Sequence, residues 1–299
     1  MSEMFIVDNT SLSMFKDCPR KYYYGILQGY RPKTTAAPLT FGGAYHEGLE
    51  VLDRELARGC SRDEAIHLAL RAAWAKSNDP SFLLDSRRTR TSLLRAIVWY
   101  ADHYKSDPMA TVVLPNGKAA VELSFRIELP FVFGHSDDPV FYCGHIDRVV
   151  EYNRQIYAAE HKHTVSSIQY DSYWDRYTFS SQISGYVLAL QTNFNLNVAG
   201  ALIDATQVGA TFARFGRRIA HRVQAHQQEW LLDLSYWMSQ LDLCLQADRW
   251  PHNSEACSKW GGCQFRSVCF TSPSVRQAVL EQEFRIEKWN PIKPRGEEE

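Results

Sequence analysis

Two neighbouring stretches, FYCGHIDRVV (141–150) and QIYAAEHKHT (155–164), decide the fold. Both are dense in Val, Ile, Tyr and Phe, and the polar run Tyr152-Asn153-Arg154-Gln155 separates them, which predicts a β-hairpin. A turn centred on Asn153-Arg154 pairs Tyr152 with Gln155. Counting outward, it sets Asp147 opposite Glu160 with Cβ atoms about 5 Å apart. Side chains alternate along a strand, so Lys162 shares the face of Glu160. Two carboxylates and one ammonium then converge on one side of a sheet. An odd-length loop would break this register, and Arg154 is a poor residue for a tight primed turn.

The arrangement has a chemical use. Two carboxylates, one carbonyl and water suit Mg²⁺, which prefers oxygen ligands and keeps part of its hydration shell. Such a metal polarises a phosphodiester and lowers the pKa of a bound water, and an adjacent lysine stabilises developing charge. The alternative is an Asp-Glu-Lys salt-bridge cluster on an exposed face. Apolar neighbours (Ile146, Val149, Ala158, Ala159) instead place both acids in a half-buried position, which calls for a metal or a partner.

Asp147 followed by Glu160-x-Lys162 resembles the PD-(D/E)XK nuclease superfamily. Within it the chain is similar to RecB-like exonucleases with an iron–sulfur cluster, including CRISPR-adaptation and phage-encoded members. Five ordered pieces carry the resemblance: SLSMFKDCPRKYYYG (11–25), FGGAYHEGLE (41–50), the GHIDRVV and AAEHKHT strands, SSQISGYVLAL (180–190) and CSKWGGCQFRSVC (257–269). The resemblance implies that His46, closing Gly42-Gly43-Ala44-Tyr45-His46, is a metal ligand beside Asp147, Glu160 and the His161 carbonyl. Imidazole suits Mn²⁺ better than Mg²⁺. Glu50, one turn on, could support His46. It also implies active-site roles for Gln182, contacting the lysine or the DNA backbone, and for Tyr186, lining the DNA path. These two share a helix face at i,i+4.

The tail supplies Cys257, Cys263 and Cys269, one thiolate short of a four-coordinate site. The resemblance implies Cys18, in Cys18-Pro19, as the fourth. Four thiolates fit zinc or a [4Fe–4S] cluster. Zinc sites usually carry short CxxC knuckles, and this tail has none. Its x5 gap between Cys263 and Cys269 departs from the family's commoner, tighter spacing and resembles that of phage-encoded relatives, for which the resemblance implies an iron–sulfur cluster. Cys60, Cys143 and Cys244 read as plain core or surface thiols.

Composition agrees. A chain of 299 residues, 45% hydrophobic and 22% charged, can bury a real core. No run of about 18 apolar residues exists, so no membrane span is expected. The opening MSEMFIVDNT lacks a basic apolar leader, so no secretory signal is expected either. Seven cysteines without such a signal point to a reducing cytoplasm. With a net charge of −1, contact with nucleic acid must use local patches. Candidates are Arg20-Lys21-Tyr22-Tyr23-Tyr24 and the group Arg214, Arg217, Arg218, His221, Arg222; each also fits a packed or solvated edge.

The patterning predicts helices from Asp8–Ser11 to about Gln28, at 41–58, 62–76 and 86–106, at 174–192 and at 226–248. Strands are expected at 119–129, in the hairpin, and near 198–207 and 213–223. The acidic end, 296–299, reads as a disordered terminus. The expected architecture is α/β: a restriction-endonuclease-like mixed sheet flanked by helices, its N- and C-terminal segments joined by a cysteine-ligated cluster. The division expected is an N-terminal helical region (1–110), a nuclease core (111–250) and a cysteine-rich tail (251–299). The expected activity is that of a Mg²⁺- or Mn²⁺-dependent DNA exonuclease at DNA ends, on single strands, in recombination, repair or phage DNA processing. A structure-specific endonuclease or a non-catalytic DNA-binding recombination partner are the alternatives. No helicase motif is present, so a helicase or recombination protein is the candidate partner.

Overall fold

The computed structural model describes residues 4–34, 36–133, 138–259 and 262–292. Trp260 and Gly261, like the acidic end at 296–299, lie outside them. In chain order the elements begin with β1 (Phe5–Asp8), α1 (Asn9–Asp17), α2 (Pro19–Tyr22), a π-helical turn (Tyr23–Leu27) and β2 (Tyr30–Pro32). Then come α3 (Ala37–Ala57), α4 (Arg62–Lys76), α5 (Arg90–His103), β3 (Ala110–Thr111) and β4 (Val121–Glu128). The hairpin strands β5 (Val140–Tyr152) and β6 (Gln155–Thr164) precede α6 (Asp171–Thr178), α7 (Ser181–Asn193), β7 (Val198–Val208) and β8 (Ala213–His221). Helices α8 (Gln224–Ala247), α9 (Arg266–Phe270) and α10 (Arg276–Glu283) and strand β9 (Phe284–Ile286) follow. None of the helices among the described residues is long and apolar enough to cross a membrane.

The hairpin has the expected register, from Tyr152↔Gln155 to Arg148↔Ala159. Asn153 (φ 50°) and Arg154 (φ 61°) are both left-handed, as a primed two-residue turn requires. Arg154 therefore occupies a conformation that favours glycine, and the strands hold it there.

Two helices expected to be continuous are broken. Asp8 caps α1 in a capping box, with Ser11 N–H donating to its carboxylate at 2.8 Å. The helix then stops at Cys18, which is extended (φ −163°, ψ 114°), because Pro19 disfavours the helical region for the residue before it. The 174–192 segment divides into α6 and α7. The Tyr177 and Ser180 carbonyls at the break also accept from Arg222 Nη2, at 3.4 and 3.2 Å. That partner lies more than forty residues away and has no local signal.

The chain forms two compact units, each assembled from distant segments, and β5 runs through both. The unit formed by residues 1–34, 126–144 and 228–294 pairs β1 in parallel with the start of β5, Phe5 opposite Val140. Within it β2 and β9 are antiparallel, Tyr30 opposite Ile286, so the N- and C-terminal segments meet in a small sheet. Tyr24, Tyr30, Phe265, Val268, Leu280 and Phe284 form its core. Strands of three or four residues show no alternation, which is why β1, β2 and β9 escape a reading of the sequence.

The other unit holds the mixed sheet. Strands β5 and β6 are antiparallel, β6 and β7 parallel, and β7 and β8 antiparallel. Phe41, Tyr45 and Leu49 of α3 and Leu93 and Ile97 of α5 pack with Val208 of β7 into one core. Helix α4 meets it through Ala65, Ala69 and Ala73, a stripe of small residues at every fourth position. Gly42 lets α3 lie close to β6: a Cβ there would come within 2.5 Å of the His163 ring.

Replacing Arg154 by Gly should stabilise the protein by about 0.5–1 kcal/mol, since the left-handed penalty exceeds the entropy that glycine adds to the unfolded chain. Urea unfolding of the two proteins measures the difference. A lower midpoint for Arg154→Gly would refute the primed-turn account.

Candidate active site

The site begins where the hairpin ladder ends. Beyond Arg148↔Ala159 strand β6 continues against β7, with Glu160 opposite Ile203 and Lys162 opposite Ala205. In place of a further rung, the Asp147 carboxylate accepts the His161 main-chain N–H at 2.8 Å. The strands part there, and Asp147, Glu160 and Lys162 occupy the fork. His46, projecting from α3, brings Nδ1 to 3.5 Å from Asp147 Oδ2. Lys162 Nζ donates to Glu160 Oε1 and, at 3.3 Å, to Gln182 Oε1. Gln182 Nε2 in turn donates to the Tyr186 hydroxyl at 2.8 Å. The expected residues therefore form two linked groups, His46–Asp147 and Glu160–Lys162–Gln182–Tyr186, which act on each other through the charges of Asp147, Glu160 and Lys162. Tyr186 is buried at 6% exposure and its ring meets Phe125 edge-on. Glu50 pairs with Arg54 on its own helix.

Charge is distributed unequally across the fork. Burial works against ionisation of Asp147, but His46, His161 and Lys162 outweigh it and hold its carboxyl well below the usual carboxylate range. Glu160 moves the opposite way: burial and the negative charge of Asp147 raise it, against the pull of Lys162. Burial opposes the Lys162 ammonium, yet Glu160 and Asp147 more than restore it. Glu160 is 3% exposed and its Oε2 is buried with no hydrogen-bond partner. Burial and the neighbouring charges of His46 and Arg88 push His163 down to about 4, which leaves a neutral ring packed on Phe41.

On the opposite face of β6 lies a polar network without a simple sequence signal. His161, 3% exposed, places Nε2 3.0 Å from Asp53 Oδ2, while Asp53 Oδ1 accepts from Arg148 Nη1 at 2.9 Å. Asp204 Oδ2 accepts from the Tyr100 hydroxyl and from Arg217 Nε, both at 2.7 Å. Arg217 also reaches Asp107 at 2.8 Å. This corrects the reading of Arg217 as a DNA-contacting residue: its charge is spent inside the protein. Arg222 is likewise buried against Ser184 at 3.1 Å. In the Arg20–Tyr24 stretch Tyr22 and Tyr24 are buried, and Arg20 Nε donates to the Trp250 carbonyl at 3.0 Å. Strand alternation could have set Arg148 and His161 on the face away from Asp147 and Glu160; it could not have supplied Asp53, Tyr100 or Arg217 as their partners.

Comparison with known proteins fits this geometry. A family model described as the PD-(D/E)XK nuclease superfamily matches residues 9–270, most of the chain. The chain belongs to the PD-(D/E)XK nuclease superfamily. No curated protein sequence matches it. Among solved structures, a protein of Eubacterium rectale described as a "Putative exonuclease" is 13% identical, with 84% of this chain and 85% of that one covered, at a TM-score of 0.48. A second, SSO0001, is 10% identical over 79% of this chain and 95% of its own, at 0.32. Likenesses this slight carry no further argument.

As a PD-(D/E)XK nuclease the chain is a hydrolase of nucleic-acid phosphodiesters, and enzymes of this superfamily typically use divalent metals. The donors in the fork suit that use in kind: two carboxylates, an imidazole, and a buried Glu160 oxygen lacking a partner. They are not preset as ligands, and among the described residues no three His, Cys, Asp or Glu side chains are arranged to hold a metal. Lys162 occupies one oxygen of Glu160, and His46 lies against Asp147.

The four cysteines singled out by sequence lie in one unit and are free thiols. Cys18 is buried and accepts the Asn253 N–H at 3.3 Å; Cys263 N–H donates to the Cys257 carbonyl at 3.0 Å. Burial raises the thiols of Cys263 and Cys269, and each feels Cys18 as a further charge that raises it. Elsewhere, Cys143 donates to the Val7 carbonyl at 3.5 Å and Cys60 to Glu55 at 3.3 Å, as ordinary thiols do.

The Asp53–His161 pair makes stability depend on pH in two directions. Arg148 and His161 lower Asp53 despite its burial, so its contribution is present above the unfolded value near 3.9 and lost as pH falls through the folded one. Asp53 and Asp204 raise His161 despite its burial, so its contribution is complete below about 6.5 and is lost as pH rises through the raised value. Asp53→Asn should cost about 3–5 kcal/mol near neutrality, because Arg148 keeps a buried charge without its carboxylate. It should also flatten both limbs of the urea-unfolding profile against pH. An unchanged profile would show that the pair contributes nothing.

Proposed function

We propose that the chain is a metal-dependent deoxyribonuclease that removes nucleotides from DNA ends as an exonuclease, with single strands as substrate. The reading is carried by the fork: a buried, partnerless Glu160 oxygen facing an ionised Asp147, with a charged lysine beside both. Asp147, Glu160, the His161 carbonyl and His46 would hold the metal. Once bound, Mg²⁺ or Mn²⁺ supplies Lewis-acid polarisation of the phosphate and a water of lowered pKa. The protein side chains do the rest. Lys162, steered by Gln182 and through it by Tyr186, presents an ammonium to charge developing on the phosphate. Burial of the fork makes each of these interactions stronger than it would be in water. Recombination, repair or phage DNA processing is the setting proposed, with a helicase or recombination protein supplying any unwinding.

The same proposal assigns Cys18, Cys257, Cys263 and Cys269 to a [4Fe–4S] cluster in preference to zinc. In its support stand four free thiols in one unit, the Cys263 main chain hydrogen-bonded to that of Cys257, and the lack of any CxxC knuckle.

Lys162→Ala should lower cleavage of end-labelled DNA a hundredfold or more, roughly the loss of one transition-state donor, while DNA and Mn²⁺ binding stay near wild type. Glu160→Ala and Asp147→Ala should lose metal binding and cleavage together. Wild-type-like cleavage by either carboxylate variant would overturn the site. His46→Ala should weaken Mn²⁺-supported cleavage more than Mg²⁺-supported cleavage; equal losses would remove His46 from the ligand set.

Anaerobically purified protein should be brown and carry about four irons per chain. Cys18→Ser and Cys269→Ser, remote in sequence, should both be colourless and aggregation-prone, because ligand loss and folding are linked. Colourless wild type holding one zinc would refute the cluster, and an unaffected Cys18→Ser would refute the shared site.

A further inference from the structure

Beside β8 lies a surface cleft of about 630 Å³ that the hydrolytic site leaves unused. Trp99 and His103 of α5 form one wall, Arg214, Phe215 and Gly216 of β8 the floor, and Gln169 of the preceding loop the other wall. Trp99 is 38% exposed, and the Arg95 guanidinium lies over its ring at 5.1 Å. Arg214 stacks in the same way on the exposed Phe212 ring, at 4.5 Å. Hydrogen bonds from these arginines go to neutral oxygens: Gly209 and Ala210 carbonyls for Arg95, the Gln207 amide for Arg214. Neither charge is matched by a carboxylate among the described residues. The acid of the cleft, Asp102, is paired with Arg62 at 2.8 Å. The cleft therefore offers exposed aromatic faces and uncompensated guanidinium groups, which suits an anionic strand bearing flat bases.

Its position relates it to the fork. Lys162, Ala205 and Gly216 form one row across β6, β7 and β8. Neighbouring strands lie about 4.8 Å apart, so the cleft, at the outer edge of β8, begins about 10 Å from the Lys162 backbone. Its α5 wall stands on the face that carries Asp204 and Arg217, so a strand held at the fork would reach it around the edge of β8. Gly216 lies beneath the buried Trp174 and Ile168 side chains: a Cβ there would meet the Trp174 ring at 3.2 Å and Ile168 at 3.4 Å.

We propose that this cleft is a nucleobase-stacking subsite for the substrate strand, Trp99 receiving a base and Arg214 its phosphate. The proposal rests on the nuclease reading above and locates the single-strand preference in named residues. It makes that preference a matter of stacking and charge, without base-edge readout, so that it tolerates any sequence.

The test uses the full-length protein with Mn²⁺ and two probes: oligothymidylate, which can reach the cleft, and bis-p-nitrophenyl phosphate, which is too small to bridge from fork to cleft. Trp99→Ala and Arg214→Gln should each raise KM for oligothymidylate about tenfold, the effect of losing one base-stacking or phosphate contact. Trp99→Phe should restore most of it. Hydrolysis of the small diester should be unchanged in all three variants. Arg214 is exposed, so Arg214→Gln decides alone should Trp99→Ala fail to fold. Unchanged KM values in variants of an active protein overturn the subsite and leave the nuclease reading intact. A wild type inert on both probes overturns that reading, and the subsite with it. Tighter binding of polyglutamate than of oligothymidylate, by fluorescence anisotropy, would identify the cleft as a protein-docking site and overturn the proposal.

Discussion

Strand β6 carries ionisable side chains on both faces while it lies inside a sheet. Glu160 and Lys162 point one way and His161 the other, and Glu160 and His161 are each only 3% exposed. An ionised group out of water costs several kcal/mol unless it is paired, so every element packed on β6 must bring a partner. Helix α3 brings Asp53 to His161, α7 brings Gln182 to Lys162, and β7 brings Asp204 beside His161; α3 also sets His46 against Asp147 of β5, and Tyr100 of α5 holds Asp204. Apolar packing alone would leave the helices free to slide over the sheet. These directional contacts fix their register, and with it the distance from His46 to Asp147.

The two faces divide the work. Behind the sheet, three carboxylates, Asp53, Asp107 and Asp204, stand against two guanidinium groups, Arg148 and Arg217, and the His161 imidazole. In front, the balance is left open. Asp147 and Glu160 face one ammonium and a half-exposed histidine, and one Glu160 oxygen has no partner. Partnerless atoms occur on both faces, since Asp204 Oδ1 and His161 Nδ1 are also buried without a hydrogen-bond partner. What distinguishes the front is its excess of carboxylate over fixed cation, with Asp147 and Glu160 set against the ammonium of Lys162.

What could be read in the sequence and what could not follow from the range of the interactions. The hairpin, its register and the convergence of Asp147, Glu160 and Lys162 are local, set by a two-residue turn and strand alternation. Helix α4 is equally local, with Ser61 accepting the Glu64 N–H. Contacts that depend on distant residues left no trace: Asp53 with Arg148, Tyr100 with Asp204, Arg222 with the break between α6 and α7. Arg217 shows the ambiguity most clearly. In sequence it is one more arginine of a basic run; in the fold it is the counter-ion of Asp204 and Asp107, and of the basic side chains in that run only Arg214 lines the cleft.

The junction of the chain ends depends on a different balance. Strands β2 and β9 contribute only three residue pairs, too few to be stable unaided. Around them Tyr30, Phe265 and Phe284 are buried, and each such side chain contributes about 1.5–3 kcal/mol when fully removed from water. Arg20 and Asn253 add hydrogen bonds to Trp250 and Asp17 across the same junction. The unit is thus held by modest contacts, and it contains four free cysteines, of which Cys263 and Cys269 are raised by burial and, in smaller part, by Cys18. The proposed metal group, taking Cys18 and the tail cysteines as thiolates, would add a tie between the N-terminal segment and the tail and so couple its own binding to folding.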